Sequence, residues 1–69
     1  MWRAMLEDAD RAHLEGTLYP RALAEAGEAD SPRNREIAAS DYWAFLALGG
    51  GSDDEAIAAL VRGLRACGL

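Results

Sequence analysis

Asp41-Tyr42-Trp43-Ala44-Phe45-Leu46-Ala47-Leu48 holds three of the five aromatic residues of this chain and runs directly into Gly49-Gly50-Gly51. Seven apolar side chains in succession leave no polar face, so each turn needs cover on every side, from the rest of the chain or from another molecule. Read as a helix, the stretch sets Tyr42, Phe45 and Leu46 on one side and Trp43 and Ala47 on another. Two neighbours are required, and a chain of 69 residues has few helices to offer.

C-terminal to the glycines, Ser52-Asp53-Asp54-Glu55 has the spacing of a capping box. The Ser52 hydroxyl is placed for the Glu55 backbone N–H, and the Glu55 carboxylate can reach back. Ile57, Leu60, Val61, Leu64 and Cys67 follow as a stripe at helical spacing. Three acidic residues suit the helix start, Arg62 and Arg65 suit its end, and Gly68 closes it. Gly63 interrupts this helix at a cost of about 1 kcal/mol relative to alanine, which a close helix crossing would explain.

N-terminal to the apolar stretch, Ser31-Pro32 is a helix start, with an N-cap and proline at the first helical position. Arg33, Asn34, Arg35 and Glu36 read as an exposed first turn before Ile37 and Ala38. Ser40-Asp41 can cap a fresh helix, so a kink near residue 40 is an alternative to one helix over 32–48. Residues 27–34 form the clear loop. Before it, Pro20 suits a helix start and restricts Tyr19 to an extended conformation. A break at 16–19 follows, with a short helix over 20–26 that Gly27 stops and with Leu18, Tyr19 and Leu23 turned inward. The other reading is one long helix kinked at Pro20. From Trp2 to Glu15, the positions Trp2, Met5, Leu6, Ala9, Ala12 and His13 step by three and four along one face, and Gly16 sits where a left-handed cap would end the helix.

The expected fold is therefore all-α, a single domain over 1–69 built as a small three- to four-helix orthogonal bundle with helices over 2–15, 20–26, 32–48 and 53–67. Composition agrees: alanine supplies 15 residues, while Thr17, Ile37, Ile57 and Val61 are the whole β-branched set. A domain this short buries about 60% of its unfolded surface. A core of that size rarely supplies more than about 3–5 kcal/mol. One cysteine cannot form an intramolecular disulfide, and His13 with Cys67 cannot complete a zinc site. Oligomerisation or a bound partner is the remaining supplement.

The formal charge of −5, with seven arginines and no lysine, disfavours direct binding to nucleic acid. No run of about 18 apolar residues exists to span a bilayer, and the first residues lack the apolar core of a secretion signal, so a cytoplasmic protein is expected. No arrangement points to catalysis, a cofactor or a metal. Gly49-Gly50-Gly51-Ser52 before a helix invites a phosphate-loop reading, but there is no lysine to reach a phosphate and three carboxylates occupy the turn; the glycines read as a flexible hinge. Cys67 near a helix C-terminus faces the wrong end of the dipole for a thiolate and reads as a small core hydrophobe. His13 reads as a partly buried histidine with one backbone or carboxylate partner. What is left is aromatic surface, since Trp2, Tyr19, Tyr42 and Trp43 exceed what so small a bundle readily hides, and such residues are enriched in binding hot spots.

The order Tyr19-Pro20-x-x-Leu23, then Tyr42-Trp43-x-Phe45-x-x-Leu48, then Ile57 and Gly68-Leu69 resembles the small acidic proteins encoded beside tail tape-measure genes in long-tailed bacteriophages and gene-transfer agents. Phe45 comes one residue earlier than in that pattern, and three glycines stand where a proline-rich linker is usual. The resemblance implies a tail-assembly chaperone or minor tail factor that shields an aggregation-prone tail protein, acting in the host cytoplasm if phage-encoded. The expected role is a non-enzymatic protein-protein interaction module, with a protein partner or a second copy meeting Trp2, Tyr19, Tyr42, Trp43, Phe45 and Leu46. The alternative is an acidic inhibitor that occupies a nucleic-acid-binding surface through Glu7, Asp8, Asp10, Asp53, Asp54 and Glu55.

Overall fold

A computed structural model describes residues 6–67, with the Cys67 side chain outside the description. The architecture is the small all-α bundle expected. Its elements are α1 (Asp8–His13), a π-helical turn (Leu14–Leu18), α2 (Tyr19–Ala26), α3 (Pro32–Ala47) and α4 (Asp53–Cys67). α4 packs against both α2 and α3, and it also touches the π turn. Leu14, Leu18, Leu60 and Leu64 are completely enclosed at the centre.

The expected break at 16–19 does not occur. Leu18 and Tyr19 keep right-handed helical dihedrals, so the chain is helical from Asp8 to Ala26 without interruption. Pro20 has no N–H for the carbonyl four residues back, and its ring crowds that carbonyl. The widened turn immediately before it takes up this misfit, which is the kinked-helix alternative with the distortion placed ahead of the proline. Tyr19 is consequently helical rather than extended, and Gly16 caps nothing.

The extra residue taken up by the π turn brings Leu18, Tyr19 and Ala22 to the core behind Leu14. The face proposed for the first helix holds only in part. Leu6 is buried and His13 half-buried as expected, but Ala9 and Ala12 are exposed and the helix begins at Asp8; Leu14 is the side chain that reaches the centre. Trp2 and Met5 lie outside the described residues.

Caps hold the remaining ends. Gly27 is left-handed at φ 70°, and the Glu28 N–H donates to the Leu23 carbonyl at 3.0 Å, a Schellman closure of α2. Ser31 Oγ accepts from the Asn34 N–H at 3.0 Å, with Pro32 opening α3. α3 is one continuous helix from Pro32 to Ala47, so Ser40-Asp41 starts no fresh helix. Gly49 and Gly50, both at positive φ, make a second Schellman turn, with the Gly50 N–H donating to the Phe45 carbonyl at 2.9 Å. Gly49 and Gly50 are therefore a hydrogen-bonded corner at the end of α3. The capping box forms in full: Glu55 N–H donates to Ser52 Oγ at 3.2 Å and Ser52 N–H to Glu55 Oε1 at 2.9 Å. Ile57, Leu60 and Leu64 point inward as the stripe requires, and Arg65 Nη2 donates to the Glu25 carbonyl at 3.1 Å near the end of α2.

Candidate functional site

α3 divides its apolar run between two environments. Tyr42 is buried and stacks with Phe45 at 6.2 Å between ring centroids, while Phe45 and Leu46 are partly covered. On the outer side Trp43 is 50% exposed and Leu48 90% exposed, and Ala44 and Ala47 are exposed beside them. Positions 43, 44, 47 and 48 are one helical face. Among the described residues α4 is the neighbour that packs along α3, so one of the two required neighbours is supplied and the outer ridge stands in solvent.

The sequence-derived contact residues consequently separate. Trp43 lies on the ridge, and Phe45 and Leu46 lie at its margins. Tyr19 and Tyr42 are core residues, exposed by only 4% and 6%, and present no ring to a partner. Leu48, Ala44 and Ala47 complete the ridge and were not singled out as contacts; their signal was the same unbroken apolar run. Two recesses flank the ridge. One, of about 400 Å3, lies toward α4 among Asp41, Ala44, Phe45, Leu48, Ala59 and Arg62. The other, of about 310 Å3, is lined by Leu6, Glu7, Asp10, Trp43, Leu46 and Ala47.

At the floor of the first recess Asp41 lies against Gly63. A Cβ on Gly63 would overlap the Asp41 carboxylate, with Cγ only 2.7 Å away, so the glycine is the close approach that its position in α4 suggested. Asp41 Oδ2 is buried without a hydrogen-bond partner. Burial pushes the Asp41 carboxyl above its usual range, against the opposing pull of Arg62.

A second polar cluster went unread in the sequence. Tyr19 Oη donates to Asp30 Oδ1 at 2.8 Å, and Arg35 grips the same carboxylate through Nε at 2.9 Å and Nη2 at 2.7 Å. Arg35, and then Tyr19, hold Asp30 down at about 2; burial, and then the bond to Asp30, push Tyr19 up to about 12. Asn34, expected to be exposed, is buried and donates from Nδ2 to the Ala29 carbonyl at 2.8 Å. These contacts pin the loop between α2 and α3 to both helices, Tyr19 from α2 and Asn34 and Arg35 from α3. They are structural staples, and the bond from Tyr19 to Asp30 forms only when the chain folds back.

The acidic residues behave differently from a free surface. Asp8 pairs with Arg11 at 3.0 Å, Asp53 meets His13 Nε2 at 2.9 Å, and Asp54 approaches Arg21 at 3.9 Å. Glu55 is committed to the α4 cap, whose backbone N–H and Ser52 hydroxyl lower its pKa. The Ser52 N–H that a phosphate would need is already bonded. Glu7 and Asp10 line the recess beside Trp43. Among the described residues no group of three His, Cys, Asp or Glu could hold a metal ion, and no helix is long and apolar enough to cross a membrane. Comparison with protein-family models, with curated proteins and with solved structures finds no match to this chain.

Proposed function

We propose that this protein is a non-enzymatic helical docking module that seats the outer face of α3 on a protein partner. What carries this reading is the half-exposed indole of Trp43 beside the almost fully exposed Leu48, on a helix whose other face is already used by the core. Tryptophan supplies large contact area at low entropic cost and is the residue most enriched in binding hot spots. The acidic-inhibitor reading draws less support, because four of its six carboxylates are already paired or used as caps within the chain. In the form implied by the sequence resemblance, the partner is an aggregation-prone tail protein and the site of action is the cytoplasm.

A photo-crosslinking residue at position 47, on the ridge, compared with one at position 24, on α2, tests the reading in cells. The expected result is a discrete adduct from position 47 alone that Trp43→Ala abolishes and Asp53→Ala/Asp54→Ala leaves intact. Equal adducts from both positions, or loss with the acidic pair but not with Trp43, would reject it.

A further inference from the structure

The recess on the α1 side of the ridge combines apolar and charged walls. Leu6 is buried at its floor, Trp43, Leu46 and Ala47 form one side, and Glu7 and Asp10 stand at its edge. Asp8, between those two, is already paired with Arg11. The opposite recess is electrically mixed, since Asp41 there is accompanied by Arg62. The net charge of −5 adds a broad negative field around the ridge.

We infer that the occupant of this face is a basic amphipathic helix of another protein, whose apolar stripe lies along Trp43, Leu46 and Ala47 and whose Lys or Arg residues reach Glu7 and Asp10. A helix fits because the ridge is itself a helix surface, which receives side chains spaced at i, i+3 and i+4. Positive flanks fit because two carboxylates border a groove beside the Trp43 indole that, once covered, excludes water and strengthens their attraction. A second copy is the poorer occupant, because it would bring the same acidic edge and another −5 charge against the first. The inference rests on the docking reading above.

Two designed helical peptides of about 18 residues, long enough to hold a helix, serve as probes. They share one leucine stripe and differ in carrying lysine or glutamate on its flanks. Binding to the full chain is read by fluorescence anisotropy of the labelled peptide, with circular dichroism confirming that each variant is folded. The lysine peptide should bind at least about tenfold tighter than the glutamate peptide. Glu7→Gln/Asp10→Asn should weaken the lysine peptide by about tenfold, whereas Glu25→Gln/Glu28→Gln, with the same loss of charge elsewhere, should change it less than about twofold. Trp43→Ala should weaken both peptides.

Equal affinity for the two peptides, or equal weakening by the two carboxylate pairs, overturns the basic helix while a Trp43→Ala effect keeps the docking face. If Trp43→Ala leaves both peptides unaffected, the docking reading itself fails. Sedimentation that reveals a dimer dispersed by Trp43→Ala assigns the face to a second copy and likewise overturns the inference.

Discussion

Replacing Gly63 with alanine sets two effects of similar size against each other, and Asp41 decides between them. Alanine in the interior of α4 gains about 1 kcal/mol of helix propensity. Its Cβ would occupy the place of the Asp41 carboxylate, whose Cγ lies 2.7 Å from that position. Asp41 must then leave its rotamer, at about 0.5–1.5 kcal/mol, or the helices must separate, at about 1–3 kcal/mol. Gly63→Ala alone should therefore lie between about 0.5 kcal/mol stabilising and about 2 kcal/mol destabilising. In an Asp41→Ala background the obstruction is gone and the gain of about 1 kcal/mol should appear. Urea unfolding of the wild type, both single variants and the double variant, followed by circular dichroism, should give a coupling of about 0.5–3 kcal/mol.

The same series has a pH signature. A carboxyl whose pKa is raised by folding contributes most below its unfolded value, and that contribution is lost as pH rises through the folded value. As pH rises above the ordinary carboxylate value of about 4 and through the raised folded value, the wild type should accordingly lose stability relative to Asp41→Ala. Additive effects within about 0.5 kcal/mol would refute the close approach of Asp41 to Gly63, and a difference that does not vary with pH would refute the burial of the Asp41 carboxyl.

Asp30 should show the opposite slope: held at about 2 when folded, against 3.8 ordinarily, it contributes stability above the higher value that is lost as pH falls toward the lower. Urea midpoints of wild type and Asp30→Asn should therefore converge in acid. Tyr19 should ionise at about 12 in an ultraviolet titration, and Asp30→Asn should lower that value by removing the carboxylate that accepts its hydroxyl. Ser52→Ala should cost about 1 kcal/mol by orphaning the first turn of α4, read as a lower urea midpoint. Leu14→Ala empties a fully enclosed site at a cost of about 2–5 kcal/mol, comparable to the whole stability expected of so small a core, and should leave the chain largely unfolded by circular dichroism.

Whatever depends on neighbours within one helical turn could be read directly from the residue order. The Ser31 and Ser52/Glu55 caps, the Gly27 stop and the inward stripe of Ile57, Leu60 and Leu64 all formed where their spacing placed them. Each is a contest among a few adjacent groups, so its outcome travels with the local sequence. The clasp of Tyr19, Asp30 and Arg35 was not visible in this way, because it needs the loop after α2 folded back on the N-terminal helix.

The helix continuing past Pro20 was open for a related reason: the local preference for a break is a few kcal/mol, and burial of Leu18, Tyr19 and Ala22 by α4 outweighs it. Packing likewise chose Leu14 over Ala9 and Ala12. In the all-apolar run of α3 periodicity has no contrast to report, so only the position of α4 sent Tyr42 inward and left Trp43 and Leu48 in solvent. A helix can bury only the faces its neighbours cover, and which faces those are is fixed by the other helices.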